Sequence, residues 1–425
     1  MSLNSPGATG IEPGVLEGLL VIDFTQAIAG PIATRVLAEM GARVVKIEAP
    51  RGDLVRAIQC RPELGWGPMF GHGSAGKESI CVDMAQPDGL ALVDRLIDCA
   101  DIVVENFRPG TLERWGFDPQ QLILRARHPI VCSVSGFGRG TEQSAWSATD
   151  PLGQAFSGMT FMIGSPGERP FLAANGIADT STAMAAAAAI LAAVIGRMRD
   201  GRGRYLDVAM ADVMLSMDCV TTPVAAAFDD VEWQPLGHDL PAVCPFGVFE
   251  ATDGFVVIQG LGEGADSTWG KLCQAIDQRT LITDPRSASA TARLDHREFV
   301  NGSVQAWVGT RNRADVVRHL QASGTLCGPV HTPREAVTHP FYRTRGAVAT
   351  VPTRSAPGDA ASAGAPARDM VAMPFGPSGL SGPPRRPPFL GEHTRAVLAD
   401  LLQMDAARID RLYAEGVVKT RAEWP

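Results

Sequence analysis

The sequence predicts an α/β protein: a large, doubly wound, parallel Rossmann-like domain accompanied by a smaller α+β domain. Three observations lead there. Short β-branched runs alternate with helix-length segments over the first 140 residues or so, a long Ala-rich helix follows, and a hairpin signal then opens a region of different pattern. Residues 19–24 form a compact apolar run broken only by Asp23, and Pro31 can open a helix through Met40, where Gly41 stops it. A second strand is expected at 44–48 and a third at 79–84, with its helix at 87–99. A fourth at 101–107 is followed by helices around Leu112 and at 120–127, and a fifth strand lies at 130–135. In such sheets ligands bind outside the carboxyl ends of the strands, which here are the loops 25–31, 106–110 and 136–140.

The expected helix at 180–199 has an apolar face made almost wholly of Ala, so a neighbouring element can approach closely. Gly201 and Gly203 end it, and a strand resumes at 205–208. The large domain is therefore assigned 15–220, and the weakly periodic stretch 221–245 is read as a linker. The small domain spans 246–330, with strands 246–251 and 255–259 around Asp253-Gly254 and helices near 269–276 and 304–323. A return linker is assigned 331–390; within it, 352–388 is rich in Pro, Ala, Gly and Ser, which suits an extended connector. Residues 391–425 form a helical part, amphipathic over 394–416, that rejoins the large domain.

Composition narrows the function. A net charge of −8 argues against nonspecific nucleic-acid binding, which needs a basic surface. No uninterrupted apolar run reaches the ~20 residues that span a bilayer, and the longest candidate, 183–195, reads as a packed core helix. Residues 1–14 lack the cationic end and apolar stretch of a secretory signal. The eight Cys are scattered, with neither a CxxC pair nor zinc spacing, and the eight His make no metal pattern. The expectation is a soluble, cytoplasmic protein that holds no metal and contacts neither membrane nor nucleic acid.

Glu48 sits where a ribose-binding acid would end the second strand of a dinucleotide site. The first turn, Ala27-Ile28-Ala29-Gly30-Pro31, has one Gly where the fingerprint needs three, so that reading fails. Asp179 opens the Ala-rich helix and supports two compatible readings. Asp is a favoured N-cap, worth about 1 kcal/mol. A carboxylate at a helix N-terminus also stays ionised at neutral pH, as a nucleophile for covalent acyl transfer must. The run Gly136-Phe137-Gly138-Arg139-Gly140 is either an ordinary turn or a set of N–H donors for an oxyanion.

The chain resembles the class III CoA-transferases, the family that includes formyl-CoA and carnitine CoA-transferases. The resemblance rests on Val21-Ile22-Asp23-Phe24-Thr25 with Ala29-Gly30-Pro31, on Gly41-Ala42-Arg43-Val44-Val45-Lys46-Ile47-Glu48, and on Val104-Glu105-Asn106-Phe107-Arg108-Pro109-Gly110. Gly201-Arg202-Gly203 with Val208-Ala209-Met210, Cys327-Gly328-Pro329-Val330 and the ending Gly391-Glu392-His393-Thr394 continue the match in order.

The resemblance implies that Asp179 is the catalytic nucleophile and that acyl-CoA and a small carboxylic acid are substrates, with no tightly bound cofactor. It implies CoA contacts from Lys77, Asn106, Phe107, Arg108 and Arg114, with Arg51 in place of an Arg the family often has directly after the acid at position 48. Asp150 matches an acidic family position and either orients groups around Asp179 or caps the next helix. Gly136, Gly138 and Ile28 would support the site, and Gly262, in the second glycine run, would belong to a flap. Ile28 stands where formyl-CoA transferases tend to have a polar residue, which favours a larger or less polar acyl group; succinyl-CoA is the donor the family's range suggests. Family members are interlocked homodimers, which would explain the two weakly periodic linkers. Two other functions are weighed. An α-methylacyl-CoA racemase resembling this chain would carry His before the acid at 150, and Thr149 stands there instead. A catalytically silent acyl-CoA-binding protein would keep the fold without the chemistry of Asp179.

Overall fold

The computed structural model describes residues 14–60, 66–173, 176–235, 237–240, 242–352, 367–376, 379–380, 382 and 384–420. Residues 1–13 and 353–366, part of the expected polar start and connector, lie outside that set. Two compact units divide the chain, one of Met1–Gly158, Ala174–Ala227 and His339–Pro425, the other of Met159–Ala173 and Phe228–Thr338.

In the first unit β1 (Leu20–Asp23), β2 (Arg43–Glu48), β3 (Glu78–Val82), β4 (Ile102–Glu105), β5 (Ile130–Ser135) and β6 (Arg204–Ala209) are parallel, in the order β3-β2-β1-β4-β5-β6. The connections carry α1 (Ala29–Glu39), α2 (Pro68–Ser74), α3 (Pro87–Asp98), α4 (Thr111–Arg114), α5 (Pro119–Leu122), α6 (Asp150–Phe156) and α7 (Ile177–Asp200). After β6 come α8 (Met210–Met217) and α9 (Thr221–Ala227). Side chains alternate across the sheet, as a period of two requires. Leu20, Ile22, Val45, Ile47 and Ile80 pack with Leu92, Val93, Leu96 and Ile97 of α3 on one face. Val21, Val44, Ile102, Val104, Ile130 and Cys132 face α1 and α7 on the other. Both faces are covered, which explains why these strands read as apolar runs rather than clean alternations.

α7 is long and apolar enough to cross a bilayer by composition, yet its Ala183, Ala186, Ala187, Ile190 and Ala193 are buried in one core with Ile32, Ala33 and Val36 of α1. The small residues let the two helix backbones come close, as the Ala-rich face predicts.

The second unit holds an antiparallel sheet of β7 (Phe246–Ala251), β8 (Gly254–Gln259) and β9 (Leu326–Pro329). Against it pack helices drawn from α10 (Thr268–Ala275), α11 (Ala290–Asp295), α12 (Arg297–Val308), α13 (Arg313–Ala322) and α14 (Pro333–Thr338). The single helix expected at 304–323 is two: Asn312 accepts a hydrogen bond from the Asp315 N–H and starts α13 afresh.

The chain then returns to the first unit through α15 (Pro340–Thr344) and an antiparallel pair, β10 (Val348–Pro352) with β11 (Ala367–Val371). The connector expected at 352–388 thus contributes a strand, and the linker expected at 221–245 begins in α9. The final section is α16 (Thr394–Leu401), α17 (Ala406–Ala414), restarted by the cap Asp405, and β12 (Val418–Lys419). β12 adds antiparallel to β3 and completes a seven-stranded sheet. Two residues carry no periodicity, so only the free edge of β3 makes them a strand.

Candidate active site

Strand order reverses between β1 and β4, and the loops after β1, β4 and β5 frame a cleft of about 950 Å³ at their carboxyl ends. Ala27–Ala29 and Ile32 line it from the first loop, Asn106–Pro109 from the second, and Ser135 with Gly136 from the third. Leu54, Val55, Ile58 and Met69 add apolar wall from one side; Trp146, Met210 and the start of α7 close the other.

A buried network of charges holds the first loop. Lys77 Nζ donates to Asp23 Oδ2 at 2.9 Å, to the Pro31 carbonyl at 2.9 Å and to Thr34 Oγ1 at 2.7 Å. Burial pushes the Lys77 pKa down to about 8, while Asp23 beside it favours the charged form. Burial alone would raise the Asp23 pKa; Lys77 and Lys46 hold it below the usual value. Lys46 pairs with Asp53 at 3.0 Å, and Asp53 accepts the Ala27 N–H at 3.2 Å. Asn106 clamps the same loop from β4, accepting the Gln26 N–H and donating to the Gln26 carbonyl, each at 2.7 Å. The cleft wall is therefore pinned by polar groups that face inward to the protein.

These placements revise several assignments. Lys77 is fully engaged inside the domain and does not line the cleft. Arg51 is exposed outside the lining, and the partner of Glu48 is Arg56, with Nε on Oε2 at 2.7 Å. Arg114 is exposed and donates to Thr111 on its own helix at 2.9 Å. Asn106 lines the cleft, but its amide is committed to Gln26. Phe107 and Arg108 do face the cleft: Phe107 packs edge-on against Trp115 at 5.1 Å, and Arg108 donates to Ser147 Oγ.

Gly136 lines the cleft, where a Cβ would fall 2.0 Å from the Ala148 Cβ. It is a close-approach glycine that brings 146–150 against β5. Two of the N–H groups expected to serve an oxyanion are already used: Gly138 donates to Ser135 Oγ at 3.0 Å and Arg139 to Asp207 Oδ2 of β6 at 2.8 Å. Gly262 lies in the second unit, where its carbonyl accepts from Arg293 at 2.9 Å.

α7 begins two residues before Asp179 rather than after it. Gly176, in the left-handed region at φ 93°, is the N-cap residue, so Asp179 is the third residue of the helix. The capping carboxylate comes from α6. Asp150 Oδ1 accepts the N–H groups of Ala178 at 2.7 Å and Asp179 at 3.1 Å, while Oδ2 accepts from Gln154 at 2.7 Å. Asp150 does not cap the helix that follows it, whose N-cap residue is Thr149; it caps α7 instead, and in doing so fixes the backbone of Asp179.

That division frees the Asp179 side chain. It faces the cleft, and among the described residues no hydrogen-bond donor reaches its carboxylate. Burial and then the charge of Asp150 push its pKa up to about 6. The expected dipole stabilisation is outweighed, yet most of the population is still ionised at pH 7. The outcome is a part-buried carboxylate, without a hydrogen-bond donor among the described residues, in the lining of a largely apolar cleft. Among the described residues no group of His, Cys, Asp and Glu is placed to hold a metal ion. His72, read from sequence as a surface or packing residue, lines the cleft as well. Its environment depends on Arg35, 37 residues away, and no local pattern signals it.

The fold and the cleft define a doubly wound α/β protein with a ligand site at its topological switch point, lined by the Asp179 carboxylate. Comparison with known proteins makes it specific. The family model for CoA-transferase family III matches residues 16–394, and the chain belongs to that family. A succinyl-CoA:mesaconate CoA-transferase from Haloarcula hispanica is 33% identical over 397 residues, covering 91% of this chain and 96% of its own. A succinate–glutarate CoA-transferase from Agrobacterium fabrum is 30% identical, over 91% of this chain and 95% of that one. Among solved structures, a CAIB/BAIF family protein from Brucella suis superposes with a TM-score of 0.76 at 26% identity, over 92% of this chain and 100% of that one. The family supports CoA transfer as the activity.

Proposed function

We propose that the chain moves CoA from an acyl-CoA donor to a free carboxylic acid through two covalent states of Asp179. The carrying observation is the unpartnered Asp179 carboxylate in the apolar cleft. Burial without hydrogen bonds leaves its lone pairs free and raises its basicity, both of which favour attack. Asp179 adds to the thioester carbonyl; the C–S bond breaks, giving an acyl-aspartyl anhydride and CoA thiolate. The thiolate attacks the aspartyl carbonyl, releases the donor acid and leaves an aspartyl-CoA thioester. An acceptor carboxylate attacks that thioester, and the same two steps in reverse yield the new acyl-CoA and free Asp179. An activated acyl linkage persists throughout, so the exchange is near isoenergetic.

Phe107 and Arg108 are suited to the adenine and phosphate parts of CoA at the cleft. The succinyl-CoA-dependent relatives make succinyl-CoA the first donor to test. Incubation with succinyl-CoA, followed by hydroxylamine and peptide mass spectrometry, is expected to place a hydroxamate on Asp179. An unmodified Asp179, with no CoA passed to any member of an acid panel, would count against the mechanism. The racemase reading loses support at Asp150, whose carboxylate is occupied in capping α7 and holding Gln154. Deuterium exchange at the α-carbon without transfer to a second acid would restore it.

We also propose a homodimer of interlocked chains. The first unit leaves large apolar groups uncovered on adjoining helices: Leu152 and Phe156 on α6, Ile195 and Met198 on α7, and Leu215 and Met217 on α8. Met198 is 82% exposed. Surfaces of this kind mark protein contacts. Sedimentation and activity measured together down to nanomolar protein are expected to show dimer throughout; an active, folded monomer would refute the assignment.

A further inference from the structure

His72 lies on α2 and faces the cleft. Its Nδ1 is 2.9 Å from Arg35 Nη1, and the same Nη1 donates to the His72 carbonyl at 2.6 Å. A guanidinium has no acceptor, so Nδ1 must accept, and the proton of the neutral ring is on Nε2. Burial, reinforced by the Arg35 charge, lowers the His72 pKa to about 4, so the ring is neutral throughout the working range.

Arg35 cannot swing away to release this tautomer. It is fully buried, its Nε donates to Glu39 Oε1 at 2.7 Å, and its Nη2 donates to the Val371 carbonyl at 2.8 Å. Glu39, ion-paired with Arg35, partly offsets that charge, and with Nδ1 turned to Arg35 the ring's remaining polar group is its Nε2–H. Among the described residues nothing accepts a hydrogen bond from Nε2. The lining of the same cleft is largely apolar and includes Ile28, Ile58, Met69 and Val134. An oriented donor left unpaired among such groups discriminates between ligands, because only one with a matching acceptor removes the desolvation cost.

We propose that His72 Nε2–H selects acyl groups carrying a hydrogen-bond-accepting oxygen on the chain, over plain alkyl acyl groups of the same length. The oxygen can belong to a distal carboxylate or to a hydroxyl; the donor chemistry is shared. This deepens the proposed function and rests on the cleft being the acyl-CoA site.

Calorimetric binding of succinyl-, 3-hydroxybutyryl- and butyryl-CoA, all four-carbon acyl groups, tests it without requiring turnover. The wild type is expected to bind at least one oxygenated ligand roughly tenfold more tightly than butyryl-CoA. The two oxygenated arms show which source is preferred. His72→Leu should reduce the preference to within about twofold, and His72→Gln, which restores an N–H donor, should recover part of it. Labelled-histidine NMR on the wild type gives a reading that survives a misfolded variant: the Nε2 resonance should move with an oxygenated ligand and stay with butyryl-CoA. Equal binding of all three ligands, a preference unchanged in His72→Leu, or an Nε2 signal indifferent to the oxygen overturns the inference alone. Failure of all three ligands to bind overturns it together with the acyl-CoA reading.

Discussion

Asp179→Asn is expected to lower kcat by at least about 10⁴-fold, the scale on which enzymes lose a covalent nucleophile. The amide keeps the size of the side chain but cannot attack a thioester and then be regenerated. Asp179→Ala should fall equally low. Neither variant should gain a hydroxylamine-sensitive mass on incubation with succinyl-CoA, and both should still bind CoA. The stability change has a definite sign. The folded pKa of Asp179, about 6, lies above its unfolded value of 3.8, so the ionised carboxylate disfavours the fold. That penalty is complete above pH 6, fades as pH falls between the two values, and is absent below the lower one. At pH 7 Asp179→Asn should therefore melt no lower than the wild type. A dead enzyme that is no less stable separates chemistry from architecture. Residual turnover within about tenfold of wild type would remove Asp179 from the mechanism.

Asp150 carries the second large effect, and two substitutions divide its roles. Asp150→Ala leaves the N–H groups of Ala178 and Asp179 without their acceptor. Loss of such a cap costs about 1–2 kcal/mol and frees the start of α7 to fray, which displaces the Asp179 carboxylate. Misplacing a reacting group by an ångström costs about 10²-fold, so activity should drop by that order while thermal stability also falls. Asp150→Asn keeps an accepting oxygen and a near-identical shape but removes the negative charge that helps raise the Asp179 pKa. Its acid limb of kcat/KM, expected near pH 6 in the wild type, should move to lower pH while the melting temperature changes little. An unshifted limb would mean that the controlling ionisation belongs to another group.

The two variants also show why this site was only partly readable. The order of motifs along the chain identifies Asp179, and the strand–helix alternation puts the loops of Ile28, Asn106 and Gly136 at one end of a parallel sheet. Neither reveals how the charges cancel. Lys77 stands in a run that invites a phosphate contact, yet its ammonium is satisfied by Asp23, 54 residues away. Asn106 has the polarity of a ligand contact and spends it on Gln26. Arg56 rather than Arg51 reaches Glu48, because the short turn led by Asp53 folds the chain back over the end of β2. His72 went the other way: an unremarked residue in a short helix becomes an oriented donor once Arg35 lies behind it.

The sequence by itself determined the layered architecture and the family, and it singled out Asp179 as the nucleophile proposed above. Those depend on local periodicity, turn residues and the order of motifs, all written along one dimension. Only the tertiary structure decided which polar side chains are consumed within the protein and which are left to a ligand. A charge in a short segment looks the same whether it will meet water, substrate or a buried counter-ion. The difference arises when folding brings together groups such as Asp150 with the Ala178 and Asp179 amides, and removes the solvent between them.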